Sequence, residues 1–445
     1  VSCFLIAKNQ EALLMDHQAM FRNKQISREQ ALDKVKTGDH IVVAMAGAEP
    51  QGFMSALHTC SPRVKDVVIS TCLNMQNYPF FVDPAMKGHF LNEGWFYNPA
   101  MRKAQAHQTV SFIPNNLHFA GSKRLAHRKP NIFVGICTPP DKHGYVSLSL
   151  SLTYEQEMIE NADLVILEVN ANMPRTLGET AVHVSAVDFF IEHTIPVPEL
   201  AVIEPSEKDR RIGEYIADLV EDGSTIQLGI GGIPNAVAQG LMSKKDLGIH
   251  TEMFTDGMVD LYQAGVITNR NKTLHRGKMV ATFALGTKKL YDFIDDNPAV
   301  ALMRGCHVND PYIIGQNYKM VSINTTMEID LTGQCCSESI GHTQFSGTGG
   351  QADTAIGAQL SPGGKSIIAL YSTTKNDSIS KIVPLLTPGA VVSLQRNDVD
   401  YVVTEYGVAQ LKGTSVRERV SRLIVIAHPA FRDQLAAEAE RLQIW

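Results

Sequence analysis

At 445 residues the chain exceeds what one hydrophobic core organises, so at least two large domains are expected. Hydrophobic residues at 44% and charged residues at 19% fit a globular protein, and a net charge of −6 with no Lys/Arg block excludes a dedicated nucleic-acid binder. No apolar run approaches the roughly 20 residues of a membrane span, and seven cysteines without regular spacing point to free thiols in a reducing, cytoplasmic setting.

The opening VSCFLIAKNQEALL has neither a basic n-region nor a small-residue cleavage site and reads as a disordered or helical lead-in. From Ser27, the run SREQALDKVKTGDHIVVAMAG predicts a helix started by a Ser27/Gln30 capping box and ended near Thr37-Gly38. A strand from Ile41 to Ala46, closed by Gly47, should follow. Ile132 to Cys137 and Leu164 to Val169 are apolar, buried-type strands, the first ending in the loop Thr138-Pro139-Pro140-Asp141 because proline cannot extend a ladder.

The helix–turn–strand unit recurs. Arg211 to Leu219 reads as a helix, Asp222-Gly223 as the turn, and Ile226 to Leu228 as a strand that runs into glycines. Gly38, Ile41 and Gly47 then fall on Gly223, Ile226 and Gly232 at an offset of 185. A second echo sets Ala162 to Glu168 against Val399 to Glu405 at an offset of 237, which requires about 50 additional residues in the second half. The expectation is an α/β protein of two related open α/β domains, 1–200 and 201–445, with a cleft between them. Val300 to Met303, Lys319 to Ile323 and Ser366 to Leu370 read as further strands, and Ser415 to Ile426 and Pro429 to Leu442 as closing helices.

Two glycine clusters, Gly229-Ile230-Gly231-Gly232 and Gly347-Thr348-Gly349-Gly350, are tight turns that can present backbone N–H groups to an anion or a polarised carbonyl. A dinucleotide fingerprint fits Gly229 and Gly231, with Glu252 some 20 residues on as the ribose acid. The position that needs the third glycine, however, holds Pro234. Gly364-Lys365-Ser366 resembles the tail of a phosphate loop, but Gln359 stands where its first glycine should be. Fifteen histidines lack metal-ligand spacing, and Cys335-Cys336 has no second pair to complete a zinc site, so no metal is expected. Glu252 itself, taken alone, reads first as a helix-start acid.

Several blocks, in order, resemble the acetyl-CoA hydrolase/transferase family, in particular its 4-hydroxybutyrate and butyryl-CoA:acetate CoA-transferases. They are PPDKHGYVSLS, EVNANMPRTLGE, GIGGIPNAVAQGL…GIHTEMFTDGMVDL, FSGTGGQADT, STTKNDSISKIVP and VDYVVTEYGVAQLKG…RLIVIAHPAFRDQL. The resemblance implies that Glu252, in the HTE-type motif, is the nucleophile. It implies that backbone from Ile226, Gln227, Leu228, Gly229 and Ile230 contacts CoA, with Ile230 and Gly350 as oxyanion donors. Gly349, Gly350 and Lys375 would complete the CoA contacts, and Glu405 of TEYG matches a family acid near the acyl site.

It further implies a CoA thioester as substrate rather than a tightly bound cofactor, short-chain carboxylates as partners, and a homodimer or homotetramer. An ionised glutamate, with an ordinary pKa near 4.3, would need no separate base. An acyl-CoA hydrolase using the same glutamate, and a non-catalytic acyl-CoA or nucleotide-binding protein, are the alternatives.

Overall fold

Seven parallel strands of the first half and five of the second carry the architecture of the computed structural model, which describes residues 16–374 and 376–444. The expected lead-in and Lys375 lie outside the described residues. In the first sheet the order is Val110–Phe112, Phe90–Gly94, Val67–Thr71, His40–Val43, Ile132–Cys137, Leu164–Val169, Phe189–Glu192. The second runs Gly248–Ile249, Thr225–Leu228, Met320–Thr325, Lys365–Ala369, Tyr401–Thr404, and is closed by the antiparallel edge strand Gly407–Gln410. Central strands such as Ile132–Cys137 are buried along their whole length, as parallel strands covered on both faces must be. Among the described residues no helix is long and apolar enough to cross a membrane.

Local signals placed the elements and erred at their ends. The Ser27/Gln30 capping box is present, but its helix stops at Leu32 rather than near Thr37. There Lys34 and Val35 donate to carbonyls only three residues back, and Asp39 takes the Lys36 N–H at 2.7 Å, so the chain turns early. A second capping box, Ser206 with Asp209, starts the Glu207–Leu219 helix four residues before the predicted Arg211. Val300–Leu302 pairs with Met279–Ala281 in a small two-stranded piece instead of entering a main sheet.

The repeat is half right. His40–Val43 lies between Val67–Thr71 and Ile132–Cys137, just as Thr225–Leu228 lies between Gly248–Ile249 and Met320–Thr325. The second echo fails by rank: Leu164–Val169 stands two places from His40–Val43, while Tyr401–Thr404 stands three places from Thr225–Leu228. What those segments share is a buried acid that receives loop donors. Glu168 accepts from the Gly52 and Phe53 N–H groups, and Glu405 from Ser372.

An irregular segment, 193–206, runs between the two sheets, and one apolar core contains residues of both halves. Backbone bonds stitch them together. Leu152 N–H donates to Thr282 at 2.8 Å, Ala284 N–H to Leu150 at 2.8 Å, and Glu179 N–H to Leu302 at 2.9 Å. At the last of these contacts Gly178 has φ +118°, and a Cβ there would lie 2.2 Å from the Leu302 carbonyl oxygen. Gly178→Ala is therefore expected to destabilise the protein by about 2 kcal/mol or more, read as a lower melting temperature than wild type.

Candidate active site

Parallel strands deliver the residues that follow them to one edge, and here the carboxyl edges of both sheets border a cavity of about 320 Å³. From the first half come Met45, Cys72 with Leu73, and Trp95 with Phe96, each just past the end of one of three adjacent strands. Ala46 and Leu73 hold φ of 52°, the left-handed region that non-glycine residues rarely occupy, so two of these strand ends are sharply turned. From the second half come Gln227 to Ile230, the strand end Ile323 to Thr325, and the turn from Ser346 to Gln351.

Both glycine turns are built for close approach. Gly231 has φ 119° and caps the Gly232–Gly240 helix, with Pro234 in its first turn, where a missing N–H leaves no bond unmade. In the second turn, Gly349 has φ +54°. A Cβ on Gly347 would lie 2.3 Å from the Trp95 carbonyl, and one on Gly350 would lie 2.0 Å from Glu252 Oε2. Only glycine lets this turn sit against both the first half and the glutamate.

Glu252 projects from the link between two short strand pairs. Its carbonyl accepts from Thr282 N–H at 3.0 Å and Phe283 N–H at 3.1 Å, the same stretch that pairs with the first half. Its Oε2 accepts from Asn309 Nδ2 at 2.9 Å, and the Gly350 N–H is turned to the carboxylate. One edge of the side chain opens to the cavity while the rest is enclosed by protein.

The expectation of an ordinary, fully ionised glutamate is corrected by this burial. Loss of hydration, with the Asp353 charge acting in the same direction, lifts its pKa from 4.5 to about 7 against the pull of Asn309 and Gly350. His250, two residues earlier, is buried and held neutral by that burial, its pKa pushed down to about 3. Its Nε2 donates to the Val308 carbonyl at 2.8 Å. It positions the segment that carries Asn309 rather than moving protons.

Of the residues singled out in the sequence, Gln227, Leu228, Gly229, Ile230, Glu252, Gly349 and Gly350 converge on the cavity. Ile226 does not: it is fully buried in the sheet beneath. Glu405 does not border the cavity either. Its oxygens take Ser372 N–H at 2.9 Å and Ser372 Oγ at 2.8 Å, with Lys208 Nζ at 3.6 Å, so it anchors the loop after Ala369.

Asn309 escaped the sequence reading altogether, because an Asn before Asp310-Pro311 looks like an ordinary helix-start residue. The first-half wall escaped too, since nothing local says which strand ends will meet the other domain.

The family models for the acetyl-CoA hydrolase/transferase N-terminal and C-terminal domains match residues 9–203 and 286–439. The chain belongs to the acetyl-CoA hydrolase/transferase family. It is 44% identical over 424 residues to a succinyl-CoA:cyclohexane-1-carboxylate CoA transferase of Geobacter metallireducens, covering 95% of this chain and 96% of that one. It is 43% identical to the 4-hydroxybutyrate coenzyme A transferase of Clostridium kluyveri, covering 96% and 100%. The crystal structure of RipA from Yersinia pestis superposes with a TM-score of 0.91 at 36% identity, covering 97% of this chain and 100% of RipA.

A carboxylate whose hydration is reduced by burial carries a stability cost whose pH dependence has a definite sign. With the folded pKa raised to about 7 from 4.5, the native state binds the Glu252 proton more tightly than the unfolded chain does. The contribution of this group is therefore most favourable below pH 4.5 and is lost as pH rises through about 7. Glu252→Gln, neutral throughout, is expected to be more stable than wild type at pH 8, by on the order of 3 kcal/mol. The gain should vanish towards pH 4, as read from denaturant midpoints at the two pH values.

Proposed function

We propose that this protein is a CoA-transferase that moves CoA between a short-chain acyl-CoA, of the 4-hydroxybutyryl or butyryl type, and acetate through a glutamyl-CoA thioester on Glu252. The observation that carries this reading is the desolvated Glu252 carboxylate at a cavity wall, with donors from Asn309 and Gly350 directed at it. Its ionised oxygen attacks the thioester carbonyl, the C–S bond breaks, and CoA leaves as thiolate with an acyl-glutamyl anhydride behind. The thiolate attacks the glutamyl carbonyl, releasing the first acid as its carboxylate and leaving glutamyl-CoA. The acceptor carboxylate attacks that thioester to form a new anhydride, and the returning thiolate takes the new acyl group and frees Glu252. No net proton is transferred, which agrees with the neutral, buried His250.

The raised pKa supports the same chemistry. Burial penalises the free carboxylate but not its neutral anhydride or thioester, so the covalent states gain relative to the resting enzyme. Ile230 and Gly350 both line the cavity, which supports their backbone N–H groups as donors to each tetrahedral oxyanion, and one such donor is typically worth about 3 kcal/mol. Water reaching glutamyl-CoA gives hydrolysis on the same residue, so release of free CoA is followed alongside exchange. Incubation with butyryl-CoA followed by borohydride or hydroxylamine is expected to mark Glu252, and Glu252→Gln to abolish exchange while sparing CoA binding. Exchange persisting in that variant would refute the assignment.

The cavity also supports a monocarboxylate acyl chain. Met45, Leu73, Trp95, Phe96 and Leu117 make its first-half side apolar, and among the described residues lining it Glu252 is the one charged group, with no Lys, Arg or His. Among these described residues a second carboxylate on the acyl group would find no counter-charge and would stand beside Glu252. Exchange assays with acetyl-CoA are expected to give kcat/KM for butyrate at least about 100-fold above that for succinate. Equal values would remove the monocarboxylate preference.

A further inference from the structure

Asp353 is a charged residue with its side chain fully enclosed, on the first turn of the Gln351–Leu360 helix directly after Gly350. An acid there would ordinarily face solvent and complement the helix dipole. This one faces the other half of the molecule. Asp353 Oδ1 lies 2.8 Å from His118 Nδ1, and Asp353 Oδ2 accepts the His118 N–H at 3.1 Å. Next to this pair the Leu117 N–H donates to the Gly349 carbonyl at 3.2 Å. The Leu117–Phe119 turn also packs on the Gly305–Val308 helix, which is followed at once by Asn309. One short turn of the first half therefore touches the supports of both groups that donate to Glu252.

We infer that His118 and Asp353 are positioning residues of the acyl-transfer site, through which the first half fixes the Gly350 and Asn309 donors and sets a negative charge behind Glu252. The inference rests on the reading of Glu252 as nucleophile. The charge opposes the free carboxylate and not its neutral adducts, so it works with burial in favouring the covalent states. Among the described residues the other titratable group facing Glu252 is the Cys72 thiol, itself pushed up by burial and therefore uncharged. Asp353 is faced by His118 and Glu252; burial raises its own pKa, and the bonds from the His118 ring and from the His118 and Leu117 N–H groups pull the other way, in favour of its charge.

The test is the pH profile and the kcat-against-KM split of butyryl-CoA:acetate exchange in the full chain. Asp353→Asn is expected to move the acid limb of kcat/KM to lower pH than in wild type by roughly half a unit or more. His118→Ala should lower kcat by about tenfold or more with KM for the acyl-CoA within about threefold. His118→Asn, whose amide N–H can still reach the Asp353 carboxylate, should recover most of that loss.

An acid limb that stays in place in Asp353→Asn, or a raised KM with unchanged kcat in His118→Ala, overturns the inference. Should Asp353→Asn not fold, the two His118 variants decide it alone. Glu252→Gln run in parallel separates the two readings. Exchange retained there overturns the nucleophile, whereas a dead Glu252→Gln beside unmoved His118 and Asp353 variants overturns only the positioning role.

Discussion

A carboxylate taken out of water at the seam between the two halves of the chain is the constraint on which the rest of this structure turns. Glu252 has few compensations for its lost hydration: Asn309 Nδ2 at 2.9 Å and the Gly350 N–H favour its charge, and Asp353 opposes it. The molecule tolerates that cost because everything around the glutamate is held from more than one direction. Its carbonyl is fixed by Thr282 and Phe283, and that stretch is fixed in turn by the bonds of Thr282 to Leu152 and of Ala284 to Leu150 of the first half. A group this poorly solvated must be rigidly placed, or it would swing to water and regain its hydration.

The two sheets supply the place. Parallel strands put all their carboxyl ends on one edge, so a site between two such sheets draws one wall from each. The second half brings backbone donors and the glutamate, and the first half brings apolar bulk and the Leu117–Phe119 turn. This division explains why the glycines are where they are. Gly347 and Gly350 sit where a side chain would collide with Trp95 of the first half or with Glu252 itself. It also explains why the acids in similar sequence contexts differ in fate. Glu405 and Glu168 have their oxygens taken by loop donors and serve as anchors, whereas Glu252 retains an open edge.

Much of the fold was legible in the chain. Alternating apolar strands and capped helices gave the α/β class, and the Ser27/Gln30 capping box formed as expected. Element ends were less secure, because the Lys36-Thr37-Gly38 turn depends on a bond from the Lys36 N–H to the Asp39 carboxylate that no periodicity reports. The internal echo of Leu164–Val169 with Tyr401–Thr404 misled on rank. Short buried strands carry similar apolar runs wherever they stand in a sheet, so their sequences do not encode their order.

The sequence by itself determined the class of fold, the two glycine turns, the family and the candidate acid, because each is written in local residue order. Only the tertiary structure decided which of those residues meet. It removed Ile226 and Glu405 from the cavity, introduced Asn309 and the His118–Asp353 pair, and walled the site with Met45, Leu73 and Trp95. It also set the protonation of Glu252. An isolated glutamate has the pKa of its chemistry, but a buried one takes its pKa from the water it has lost and the charges that distant segments bring to it.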